Sequence, residues 1–89
     1  MSKKVAPTQS LGETVEDLHI IFAELDKSYD NRRPIGRSMI MAKAVEAIKN
    51  KPALSGGIAA AMKNGTIIAL EAAVAHPILK PVIARLAKA

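Results

Sequence analysis

The chain has 89 residues, a net charge of +5, and neither cysteine nor tryptophan. That length supports one domain, and the missing cysteines exclude disulfides and thiolate metal sites. Hydrophobic residues make up 49% of the chain, too many for disorder, yet no apolar run reaches the roughly 18–20 residues of a membrane-spanning helix.

Residues 1–9 hold Lys3, Lys4 and Pro7 among polar neighbours and read as a flexible lead-in, with residues 10–89 as a single helical domain. Lys3 and Lys4 are followed by Val-Ala-Pro-Thr-Gln-Ser rather than an apolar stretch. That pattern is unlike a signal peptide, and a cytoplasmic location is the expectation. The first helix is expected to start at Ser10, because Ser10 and Glu13 have the S-x-x-E spacing of a capping box. Thr14 with Asp17 offers a second start. Glu13, Glu16 and Asp17 place negative charge at the positive end of the helix dipole.

Leu11, Val15, Leu18, Phe22, Leu25 and Tyr29 recur at steps of three and four, a single apolar stripe. The plain reading is a core-facing amphipathic helix. The alternative, a coiled-coil seam to another chain, calls for three or four heptads, and this stripe ends at Tyr29. His19 falls on a flank that water can reach.

Residues 28–34, Ser-Tyr-Asp-Asn-Arg-Arg-Pro, form a polar connector. Asn and Asp favour turns, and Pro34 disfavours helix at Arg33. A second helix is expected over residues 35–49, with Ile35, Met39, Met41, Ala42, Val45 and Ile48 inward and Ile40 and Ala44 beside them. Gly36 near its start is either a weak point or a point of close contact with the first helix.

Pro52 opens a third helix over residues 52–63, with Leu54, Ile58, Ala61 and Met62 inward. The Gly56-Gly57 pair costs roughly 1 kcal/mol of helix propensity per glycine and suits close approach of another backbone. Asn64-Gly65 supplies a left-handed cap. Thr66 caps a fourth helix, which turns Ile67, Leu70, Ala73 and Val74 inward and ends at His76. After a short turn over residues 77–80, the last helix is expected over residues 81–88, docked by Val82, Ile83 and Leu86. The fold class is therefore all-α, a compact bundle of about five short helices with orthogonal or irregular packing.

Catalytic signals are missing. No G-x-S-x-G occurs, and neither His19 nor His76 has a partner at H-E-x-x-H spacing. The carboxylates of the first helix read as a dipole cluster, since a metal site wants convergent oxygen ligands. No enzyme, cofactor or metal site is expected. His76, before Pro77, is read as structural. A phosphate site at Ser55-Gly56-Gly57 lacks both the P-loop pattern and a preceding strand.

Charge is unevenly spread. Residues 1–30 carry Lys3, Lys4 and Lys27 against six carboxylates; residues 31–89 carry ten Lys and Arg against Glu46 and Glu71. A pI near 9.8 fits nucleic-acid binding, but the basic residues are scattered and stacking aromatics are missing. An anionic membrane surface would suit the basic last helix, though without Trp or Phe anchors.

From residue 41 onward the succession Ala44-Val45-Glu46-Ala47-Ile48, Asn50-Lys51-Pro52-Ala53-Leu54, residues 58–65 (Ile-Ala-Ala-Ala-Met-Lys-Asn-Gly), Ala69-Leu70-Glu71 and His76-Pro77-Ile78-Leu79 resembles a small helical accessory module of cyanobacterial multidomain proteins. There it stands beside pentapeptide repeats or signalling NTPase domains. Lys51 between Asn50 and Pro52 departs from that pattern, as does Gly56-Gly57. The resemblance implies a non-catalytic assembly module and carries over no catalytic residue.

The expectation is a protein–protein interaction or oligomerisation module, a homo-oligomer or an adaptor. Glu13, Glu16 and Asp17 of one molecule would face Arg32, Arg33 and Arg37 of a neighbour. A nucleic-acid or anionic-surface binder is the alternative.

Overall fold

Five α-helices in chain order build the protein, and the computed structural model describes residues 9–88: α1 (Leu11–Ser28), α2 (Pro34–Lys49), α3 (Pro52–Asn64), α4 (Ile67–Val74) and α5 (Leu79–Lys88). The all-α class and the number of elements agree with the sequence reading. The flexible lead-in expected over residues 1–9 lies outside the described residues, except for Gln9. That residue is half-buried and donates from Nε2 to Asp17 Oδ2 at 2.7 Å.

Helix α1 is the element on which α2, α3 and α4 all pack; α5 is held by α2 and α4. Its start is fixed locally. Ser10 Oγ accepts from the Glu13 N–H at 3.2 Å, and Glu13 Oε1 accepts from the Ser10 N–H at 3.1 Å. This reciprocal box satisfies two of the unpaired donors of the first turn. Thr14 is therefore not the cap. It is wholly buried, its hydroxyl donates to the Ser10 carbonyl at 2.9 Å, and it lies against Gly57 of α3.

The α1 stripe is enclosed only at its middle. Leu18 and Phe22 are buried, Val15, Leu25 and Tyr29 are partly covered, and Leu11 in the first turn is 41% exposed. Leu18 and Phe22 are covered by this chain's own α2–α5 core, as the core-facing reading expects. His19 is exposed, as expected.

The α2 face differs from expectation. Gly36, Ile40, Ala44, Val45 and Ile48 are buried, while Ile35 is 79% exposed and Met39 and Ala42 also face water. Apolar residues surround this helix, so periodicity selects no face; the small residues do. Gly36 lies directly against the backbone of Asp30, and the Gly36–Ile40–Ala44–Ile48 row at i, i+4 lets neighbouring elements approach closely.

In α3, Leu54, Ile58 and Ala61 are buried as expected, but Met62 is 40% exposed. Gly57 admits a side chain, Thr14, rather than only a backbone. Gly65 ends α3 with φ of 78°, and its N–H bonds the Ala61 carbonyl, the left-handed cap expected there. Thr66 occupies the cap position of α4 without capping it: its N–H and hydroxyl both turn back to the Ala61 carbonyl, at 2.9 and 3.4 Å.

Helix α4 ends at Val74, two residues before the expected His76, because Ala75 takes φ of 54°. Leu70 and Val74 are buried, Ile67 is half-buried and Ala73 is exposed. Helix α5 begins at Leu79 rather than at Pro81. Pro81 is the third residue of the first turn, where a backbone donor has no intrahelical partner to lose. The first α5 bond is Val82 N–H to the Ile78 carbonyl at 3.1 Å.

Candidate interaction surfaces

Helix α1 separates the two charge clusters expected to interact. Glu13, Glu16 and Asp17 occupy its first two turns; Arg32 and Arg33 sit in the connector beyond its other end, and Arg37 lies one turn into α2. At 1.5 Å per residue, Glu13 and Ser28 lie roughly 22 Å apart along the axis.

Among the acids, Glu13 is occupied by the cap and Asp17 by Gln9. Glu16 is exposed and makes no ion pair among the described residues.

The arginines do not form one face. The Asp30 carboxylate gathers two of them, accepting the Arg32 N–H at 2.9 Å and facing Arg32 Nε at 3.5 Å and Arg33 Nε at 3.4 Å. The Arg32 backbone bond leads in holding the Asp30 carboxyl below its usual value; partial burial opposes it, and the Arg32 and Arg33 charges add to it. Arg37 turns the other way. Its Nη1 donates to the Asn31 carbonyl at 3.2 Å, and it lines a shallow recess with Met41, Ile78 and Pro81. Sequence proximity grouped three arginines that the helix start divides.

His76 has a more specific place than its sequence neighbours indicated. Its ring stacks on Phe22 of α1 with centroids 4.2 Å apart and planes 17° from parallel. Nδ1 accepts the Ile78 N–H at 3.1 Å, so the ring proton resides on Nε2, which reaches both carboxylate oxygens of Asp26 at 3.1–3.2 Å. Asp26 also accepts from Asn31 Nδ2 at 3.1 Å. This is a clasp between the C-terminal end of α1 and the α4–α5 link. No nucleophile adjoins it among these contacts, and no three His, Cys, Asp or Glu converge among the described residues.

The surface residues that sequence reasoning misplaced are Ile35 and Met39 on α2, expected inward and found in water. Ile20 on α1 and Ile68 on α4 are exposed too, and both lie off the inward faces read for their helices. Helix α2 is apolar on several sides, and only the folded arrangement decides which of its residues remain outside. A further groove of about 450 Å³ runs between α3 and α5, floored by Ile58 and Leu86 and edged by Lys49 and Ser55. No helix among the described residues is long and apolar enough to cross a membrane. Compared with protein-family models, curated protein sequences and solved structures, the chain matches none.

Proposed function

We propose that this chain is a non-catalytic protein–protein interaction module that assembles through complementary charge, its acidic α1 start serving one side and its basic connector and α2 the other. The observation that carries this reading is the separation of the two clusters along α1. To the end of α1 the distance is roughly 16 Å from Asp17 and roughly 22 Å from Glu13, beyond the screening length of about 8 Å at physiological salt, so the clusters do not satisfy one another within a chain, whereas two molecules can bring them together. Each exposed ion pair contributes only about 0–1 kcal/mol; the charges steer and orient, and apolar contact supplies the remaining affinity. The resemblance of residues 41–89 to accessory modules points the same way.

The test is light-scattering mass after size exclusion, over a concentration series at low and high salt, for the native chain and for Glu16→Lys. The reading expects masses above the monomer that decline with salt, and a weaker tendency in Glu16→Lys. A monomer under every condition would overturn it.

A second reading, an anionic-polymer binder, draws on the exposure of all ten Lys and Arg of residues 31–89. Its mark is duplex affinity that collapses between low and moderate salt, read by fluorescence anisotropy on a random-sequence duplex. Here the competing observation is that these cations are distributed over α2, α3, α5 and the connectors rather than along one stripe.

A further inference from the structure

The outer face of α1 is a narrow acidic stripe with one apolar residue at its centre. At 100° per residue, Glu13, Glu16, Asp17, Ile20, Glu24 and Lys27 fall within an arc of about 100°. All are exposed except Asp17, which is half-exposed. Ile20 is 58% exposed in the middle of that arc. Lys27 is turned onto Glu24 at 3.9 Å, which leaves the stripe four carboxylates and one paired lysine.

The outer face of α2 has the opposite character. Ile35, Met39, Ala42, Lys43, Glu46 and Lys49 share an arc of about 120°, and every one is exposed. Ile35 and Met39 form an apolar pair one turn apart. Lys43 follows Met39 by one turn and Lys49 stands roughly 15 Å further on from Met39 along the axis, Arg32 and Arg33 stand at the helix start, both facing Asp30, and Glu46 is the one carboxylate on the face. Helix α1 packs on α2, so each outer face points away from the other, and neither covers its counterpart within a chain.

We infer that copies of this chain join head to tail, with the acidic α1 face of one molecule seated on the Ile35–Met39 face of α2 in the next and Ile20 inserted beside Ile35. This inference rests on the assembly reading above and names its partner, a second copy. Charge complementarity commits the α2 face to that occupant: a basic-rimmed apolar pair matches an acid-rimmed apolar residue, and the same chain carries both. Two different patches in contact leave one of each unused in a pair, so the contact propagates into a ring or an open chain.

The experiment uses the full chain and two blocking variants. Ile20→Arg sets a cation against the basic α2 face; Ile35→Asp sets a carboxylate against the acidic α1 stripe. Both positions are exposed, so each variant keeps the native helical circular dichroism, and Ile20→Ala and Ile35→Ala serve if either does not. Ile68→Asp, on α4, is the control and leaves assembly unchanged. Head-to-tail joining expects the native chain to grow past two copies with concentration. Each blocked variant alone associates at least tenfold more weakly, and an equimolar mixture of the two forms a two-copy species through its one intact junction. A native chain that stops at two copies overturns the head-to-tail mode, as does a mixture that stays monomeric or a control that abolishes assembly. A native chain that never associates overturns the assembly reading itself, which separates the two failures.

Discussion

Replacing Gly36 by alanine tests how closely the connector is held against α2. A Cβ at this position falls 2.7 Å from the Asp30 carbonyl carbon and 2.9 Å from its nitrogen, and closer still to its oxygen. Carbon atoms rest at about 3.5–4.0 Å, so the Asp30 peptide has to move by roughly an ångström. That peptide is already engaged, because its carbonyl accepts the Arg33 N–H at 3.2 Å. Overpacking costs about 1–3 kcal/mol, at the upper end here because backbone rather than a side-chain tip is struck. The strained turn bond adds about 1 kcal/mol, and alanine returns at most about 1 kcal/mol of helix propensity. The net expectation is a loss of about 2–3 kcal/mol. In urea, with a slope near 1 kcal/mol/M for so small a domain, the midpoint falls by about 2 M. Gly12→Ala is the matched control: nothing lies within 4 Å of its Cβ, and its stability is unchanged or raised by up to about 1 kcal/mol. A Gly36→Ala protein as stable as the native chain, with an unaltered slope, would refute the close approach.

Two further outcomes follow from the clasp and the connector. His76→Ala removes the Phe22 stack, the Asp26 bond and the acceptor for Ile78 N–H together, and is expected to cost about 2 kcal/mol. Thermal melting should show a fall of about 8–16 °C, and a double-mutant cycle with Asp26→Asn should return a coupling energy above zero; additive effects would deny the bond. The Asp30 carboxyl is held below its ordinary value of 3.8 by the Arg32 N–H and the two guanidinium groups. Its contribution to stability is therefore complete above 3.8 and is lost as pH falls through the lower folded-state value. Following the Asp30 carboxyl carbon by NMR against pH should give a midpoint under 3.8, and Asp30→Asn should remove that part of the acid dependence.

The features legible in the sequence were those whose causes are local. The Ser10–Glu13 box and the Gly65 cap each depend on residues a few positions apart, and both stand where their residue types placed them. The α2 face was not legible. Ile35 and Met39 rank above glycine and alanine on any hydrophobic scale, yet Gly36 and Ala44 are inside because the connector and neighbouring helices need their small volume. Pro81 misled for a related reason: its lost donor matters in a helix interior, and here it lies in a first turn. The candidate site divided in the same way. Acid and base clusters could be read from composition, but Asp30 gathering Arg32 and Arg33, and Arg37 turning toward Asn31, depend on the path of the connector. Thr14 against Gly57 joins positions far apart in the chain, and no periodicity signals such a pair.

The clasp also bears on the order in which the chain folds. Among the described residues, the other side-chain hydrogen bonds join groups no more than eight positions apart, whereas His76 and Asp26 are separated by 50. Local bonds and short connectors place a helical chain at the fast end of folding, in the microsecond-to-millisecond range. The Asp26 bond forms only once α1 and the α4–α5 link have been brought together, which requires closing the intervening loop. It is therefore expected to form late, so that His76→Ala should speed unfolding more than it slows folding in a stopped-flow chevron.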